Sequence, residues 1–206
     1  MDARALIKTV AETYRGLQTL AVNLEITEDS ENESGSIHRV QRAKAFFAAP
    51  HKVRMESGGR RGSITVMDGI DLHRYHPSPK RYSKHPAPPA HFLPGVFRPE
   101  AALLSDHPFL FANIAERVAD VAIVRAEPLD GESAPCTVLR VTYEAPDPPR
   151  LYATSPVSFW IDSRTNLVAK LEADVTVLHP AHDEAHTSKW SLRFQDFAVN
   201  EHVFAA

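Results

Sequence analysis

With 206 residues, 43% of them hydrophobic and 24% charged, the chain is long enough for one sizeable core and too apolar for a disordered protein. Its 23 basic and 26 acidic residues leave a net charge of −3, which argues against nucleic acid or an anionic membrane surface as partner. The single cysteine, Cys136, excludes an internal disulfide, and no run of about 18 apolar residues marks a membrane-spanning helix.

The first predicted element is a helix over residues 2–15. Asp2 is a suitable cap, and Leu6, Ile7, Val10, Ala11 and Tyr14 recur at helical spacing on one face. Gly16 offers a left-handed stop before Leu17 and Leu20. The apolar stripe needs a sheet to cover it, so the helix reads as a plug. Strand-like segments follow: Val22–Glu28, the polar loop Asp29–Gly35, the long strand Ser36–Phe47, and His51–Ser57, which Gly58-Gly59 ends. Ser63–Met67 and Asp71–His76 alternate about Asp68-Gly69, a dipeptide suited to the positive φ angles of a type I′ hairpin turn. Pro77-Ser78-Pro79 then turns the chain into Lys80–Lys84. A strand roughly every ten residues, with turns between, is the signature of an antiparallel barrel or sandwich.

Between Pro86 and Arg117 this pattern breaks. Prolines interleave with apolar residues that include Phe92, Phe97, Phe109 and Phe111. The spacing predicts one helix starting at Glu100, after Pro99, and another from Pro108 with Asp106 or His107 as cap. The segment is too apolar for a surface loop and too rich in proline for a central strand. It is therefore expected as a helical lid packed into the mouth or concave face of the sheet. Strands resume at Val121–Pro128 and, after a turn at Asp130-Gly131, at Cys136–Glu144. A proline-rich loop, Ala145–Pro156, precedes Val157–Asp162. A tight turn through Asn166 leads to Leu167–Leu178, and a His-rich loop to Ser188–Val199.

Motifs that carry chemistry are few. His179, His182 and His186, with Asp183 and Glu184, could ligate a metal, but Pro180 argues against a helix aligning them, and a solvated hairpin loop explains them. His73 and His76 fall on opposite faces of one strand. No Gly-x-Ser-x-Gly elbow and no Gly-rich phosphate loop is present, and Asp29, Glu31 and Glu33 lie in a polar loop that would not raise a carboxyl pKa. Cys136 reads as a small strand residue, with nothing nearby in sequence to activate its thiol. No enzymatic activity, cofactor or metal is expected.

Three groups of residues, in order, carry a resemblance. They are Ala11-Glu12-Thr13-Tyr14-Arg15-Gly16-Leu17; Phe47 to Arg54 with Ile64 to Gly69 and Tyr75-His76-Pro77; and Phe159-Trp160-Ile161-Asp162 with Thr165-Asn166-Leu167, ending at Phe194 to Asn200 and Phe204. In this the chain resembles the periplasmic lipoprotein-carrier family, the outer-membrane lipoprotein-sorting proteins and their relatives. The resemblance implies a mainly β (α+β) fold. That fold is a curved, unclosed antiparallel β half-barrel in a single domain, 1–206, with the N-terminal helix and central helical lid on its concave face. It also implies a hydrophobic cavity for a lipid, acyl chain or lipoprotein. Phe92, Phe97, Phe109, Phe111, Met55 and Trp160 are the residues expected to line it. The sorting carriers have arginine before the proline of the second turn, where this chain has Ala49 before Pro50, so the expected role is looser lipid binding. The implied location is the periplasm, with a signal peptide already removed, peripheral rather than integral to a membrane. Two rival readings are an envelope module that docks a protein partner without cargo and a His-dependent metal hydrolase.

Overall fold

The computed structural model describes residues 2–32, 35–49, 52–59, 62–78, 80–86, 108–129, 135–144, 152–154, 156–179 and 184–200. Helix α1 (Ala3–Arg15) follows from its sequence. The Arg4 and Ala5 amides donate to Asp2 Oδ1 at 2.7 and 3.1 Å, which satisfies donors that the first turn leaves open. Leu6, Ile7, Val10, Ala11 and Tyr14 are buried, as the periodicity predicts. Gly16 ends the helix in a right-handed conformation, φ −79°, and not the left-handed one expected. Its N–H remains bonded to the Glu12 and Thr13 carbonyls at 3.1 and 3.2 Å, so the last turn tightens and Leu17 enters the core.

From there the chain builds one antiparallel sheet outwards from its centre. Strands β1 (Thr19–Asn32), β2 (Gly35–Ala48), β3 (Lys52–Ser57), β4 (Ser63–Met67), β5 (Asp71–His76) and β6 (Arg81–Pro86) form a meander in which each pairs with the next. Beyond β6 the chain passes to the opposite edge of the sheet, reaching it through a 3-10 helix, Pro108–Asn113. A second set then runs back to the centre: β7 (Val118–Pro128), β8 (Pro135–Tyr143), β9 (Tyr152–Thr154), β10 (Val157–Asp162), β11 (Val168–His179) and β12 (Glu184–Val199). The resulting order is β6-β5-β4-β3-β2-β1-β12-β11-β10-β8-β7, with β9 paired to β11 beside β10. The sheet does not close. Edge strand β6 carries Arg81, Lys84 and Pro86, and edge strand β7 is interrupted by two register shifts, so both edges resist pairing with another chain.

Several elements depart from the sequence reading. The polar residues expected as the loop 29–35 continue β1 to Asn32 and open β2 at Gly35. The hairpin outruns the core there, and Glu28–Arg39 (3.2 Å) and Asp29–His38 (2.6 Å) brace it across the strands. Strand β9 lies inside the stretch expected as a proline-rich loop. β12 begins at Glu184, within the expected His-rich loop, with Glu184 opposite His179 and His186 opposite Val177. The helix expected at Pro108 starts there but is 3-10. The helix expected from Glu100, the caps Asp106 and His107, and the Asp130-Gly131 turn lie outside the described residues.

The β4–β5 hairpin forms as predicted, with Ile64 opposite Tyr75 and Met67 opposite Leu72. Its tip is not a type I′ turn: positive φ is confined to Gly69 (99°). The Ile70 and Asp71 amides donate to Asp68 Oδ1 at 2.9 and 2.8 Å, closing an Asx-type turn. These bonds, from Asp71 first, hold the Asp68 carboxyl below its ordinary pKa.

Among the described residues, the two sets of strands pair only where β1 meets β12. Asn200 clips that seam: its Oδ1 accepts from the Gln18 and Thr19 amides at 2.8 and 3.4 Å, and its own amide donates to the Thr19 carbonyl at 2.9 Å. Asn also suits the left-handed backbone there, φ 56°. Asn200→Ala should lower stability by about 1–3 kcal/mol. The measurement is a shift of the urea midpoint at unchanged slope; an unmoved midpoint would refute the clip.

Candidate functional site

Helix α1 and the 3-10 helix pack on one face of the sheet, over the strands from β7 to β12. Phe111 of the 3-10 helix meets Tyr14, Phe194 and Phe159 edge-on, with ring centroids 5.0, 5.6 and 6.0 Å away. The Val168 amide donates to Tyr14 Oη at 3.2 Å, fixing the helix to the sheet beside the β10–β11 register shift. Burial pushes the Tyr14 hydroxyl pKa well up, so it stays protonated. Arg4 donates to the Ala119 carbonyl at 3.3 Å and ties the other end of the helix to β7. Val10, Ile114, Leu139, Val141 and Val168 have no accessible surface. Beneath α1, therefore, the interior is solid.

The same apolar face continues past the helix onto the first meander. Pairing aligns Leu20, Phe47, Val53, Met67 and Leu72 in one row across the strands, and Val22, Ala45, Met55, Thr65 and Arg74 in the next. Val53, Met55 and Met67 belong to the main core cluster, and Leu72 packs against it half-buried. Of the residues expected to line a cavity, Phe111 and Met55 therefore share one face. Phe92 and Phe97 lie outside the described residues. Phe109 falls in the 3-10 helix, but its side chain is likewise outside them.

Trp160 is on the other side of the sheet. Phe159, its neighbour in β10, faces Phe111, so alternation turns Trp160 outwards, where it packs in a separate small cluster with Leu129, Cys136, Val138 and Ala169. It cannot line a cavity together with Phe111. Sequence did not reveal this because β10 is buried on both faces and shows no alternation. The ring forms the floor of an outward-facing depression of about 390 Å³. Its Nε1–H donates to Glu127 at 2.6 Å, while Lys170 and Arg125 lie 4.7 and 5.8 Å from its centroid. Hydrogen bonds from Arg125 and then Trp160 hold the Glu127 carboxyl below its ordinary pKa. The flanking charges pair among themselves, Lys170 with Glu172 at 2.7 Å and Arg42 with Glu25 at 2.8 Å, which is the behaviour of a solvated outer face.

Another cluster has ligand-type atoms within 4.8 Å of one another: Asp68, Asp71 and His73. Each has a protein partner already. Asp68 caps the hairpin tip, Asp71 pairs with Lys84 at 2.6 Å, and His73 is bonded to Tyr82. Alternation places His73 and His76 on opposite faces of β5, as the sequence predicts.

Comparison with known proteins adds a family match. Residues 3–93 match the family described as "Predicted periplasmic protein (DUF2092)", a span that takes in α1 and β1–β6. No curated protein matches the chain. Among solved structures, an outer-membrane lipoprotein-sorting protein domain from Vibrio parahaemolyticus is similar at 14% identity and TM-score 0.42, over 98% of this chain and 94% of that one. A LolA superfamily protein from Nitrosomonas europaea is similar at 14% identity and TM-score 0.41, with the same shares covered, 98% and 94%. MucB of the Pseudomonas aeruginosa MucA/MucB complex gives 12% identity and TM-score 0.47, over 96% of this chain and 57% of that one. The family description agrees with the periplasmic location expected, and the strand pairing gives the unclosed half-barrel that the resemblance to lipoprotein carriers implies.

Proposed function

We propose that the protein binds and carries a lipid, an acyl chain or the acylated end of a lipoprotein in the periplasm. The observation that carries this reading is the apolar inner face of β3–β5, where Val53, Met55 and Met67, all buried, and the half-buried Leu72 continue the core beyond the filled region under α1. Apolar side chains of this kind hold an acyl chain through buried area, at about 0.8 kcal/mol per methylene. A carrier of such cargo needs no catalytic group. The test is native mass spectrometry of the purified protein, followed by titration with a fluorescent fatty acid. A co-purified mass in the lipid range, or saturable probe binding that unlabelled fatty acid reverses, is the expected result. A bare protein mass together with no probe binding would sink the proposal. A second reading, an envelope module that docks a protein partner, is favoured by the solid packing around Phe111, and that double negative would leave it in front.

A further inference from the structure

On the concave side of β4–β6 the polar residues are not arranged like those of a solvated face. Thr65 is 2% exposed, and its Oγ1 is buried without a hydrogen-bond partner. Arg74 stands directly across from it in the β4–β5 register, which brings the two Cβ atoms to about 5 Å. Arg74 is half-buried and forms no hydrogen bond or ion pair among the described residues. Two groups without a partner among the described residues, a hydroxyl that both donates and accepts and a planar guanidinium that only donates, therefore sit side by side next to Met55, Met67 and Leu72.

The charges around them are one-sided. Alternation puts Leu72, Arg74 and His76 of β5, with Arg81, Ser83 and His85 of β6, on the concave side. The carboxylates of strands β3–β6, Glu56 and Asp71, face the other way, and Asp68 in the turn clusters with Asp71 and His73. There Glu56 and Asp71 are taken up by Arg54 at 2.7 Å and Lys84 at 2.6 Å. So the concave side of β3–β6 carries Arg74 and Arg81 and, among the described residues, no carboxylate. A guanidinium held half out of water beside apolar side chains is costly unless an anion meets it, and its fork matches the oxygens of a carboxylate or phosphate.

We propose that Thr65 and Arg74 form the polar anchor of the cargo site. They would bind the anionic head of an acyl amphiphile, a carboxylate or a phosphate monoester, whose chain lies against Val53, Met55, Met67 and Leu72. The anchor rests on the acyl-cargo reading above and adds to it a charge preference. Arg74 donates to the head group, and the Thr65 hydroxyl gains the partner that the protein itself does not supply.

The test compares probes of equal chain length by calorimetry on the full chain: palmitate, palmitoyl lysophosphatidic acid, and the uncharged methyl palmitate, with inorganic phosphate as a chainless control. Wild type should bind the anionic probes at least tenfold tighter than the ester. The two anionic probes distinguish carboxylate from phosphate as the preferred head, and phosphate alone should bind weakly or not at all. Arg74→Gln should abolish the tenfold preference and leave ester binding unchanged. Thr65→Val, nearly equal in volume, should weaken anionic binding while raising the thermal midpoint of the free protein, since it removes a buried unpaired hydroxyl. Equal affinity for charged and uncharged probes in wild type, or an Arg74→Gln variant that keeps the preference, overturns the anchor and leaves the carrier reading standing. If no chain-bearing probe binds wild type, both fall.

Discussion

A protein lacking residues 1–16 should fail to form a stable fold. Leu6, Ile7, Val10 and Tyr14 are large side chains buried against the sheet, each contributing about 1.5–3 kcal/mol. Together they amount to about 6–12 kcal/mol, an upper estimate because an unfolded chain already hides part of that surface. Even reduced by a third, this rivals the about 5–15 kcal/mol that holds a domain together. The truncation also strips the Val168 amide of its acceptor and the Phe111 ring of one of its three partners. The expected outcome is loss of a cooperative melt with strong dye binding to exposed apolar surface, even if sheet content survives by circular dichroism. A truncated protein that melts cooperatively at the full-length temperature would show that the helix is an accessory.

Phe111→Ala should be the most damaging single truncation, by about 3–5 kcal/mol. The ring is 2% exposed and is the shared neighbour of Tyr14, Phe159 and Phe194, which come from α1, β10 and β12. Each edge-on aromatic pair adds about 0.5–1.5 kcal/mol beyond burial. Since none of the three can follow the missing ring without leaving its own element, the cavity would stay open. Chemical denaturation reads the loss directly. A cost within 1 kcal/mol of wild type would mean that the 3-10 helix merely rests on the sheet and does not brace it.

Sequence was informative where structure depends on neighbours along the chain. Asp2 as a cap, the helical stripe from Leu6 to Tyr14, and alternation about Asp68-Gly69 are local signals, and the structure keeps them all. The tip differs in type because the Asp68 side chain, and not a second left-handed residue, closes the turn. Legibility failed where partners are distant. Asp29 to Asn32 carries no apolar alternation because all its residues are polar, Ser30 included although it is buried; its support comes from His38 across the hairpin. The side on which Trp160 lies is illegible for the opposite reason, since a strand buried on both faces also hides which way each side chain points. Nothing in the sequence sets Thr65 and Arg74 apart as a pair. Only the pairing of β4 with β5 makes them neighbours, and only the fate of Glu56 and Asp71 on the far side shows that Arg74 meets no counter-charge among the described residues.

The outward-and-back path of the strands also dictates an order of assembly. β1 is synthesised well before β12, yet β12 is one of its two neighbours, and Leu20 must find Val199. α1 comes earlier still, but the surfaces it plugs belong to β7 and β11. A chain emerging amino end first can zip β1 to β6 hairpin by hairpin, at little entropic cost per step. It must then hold an apolar helix and the long inner edge of β1 in water until β12 arrives. That edge is not blunted like the two outer ones, because in the finished molecule it is not an edge. During folding, the middle of the sheet is the part most open to aggregation, and the most useful place for a chaperone to bind.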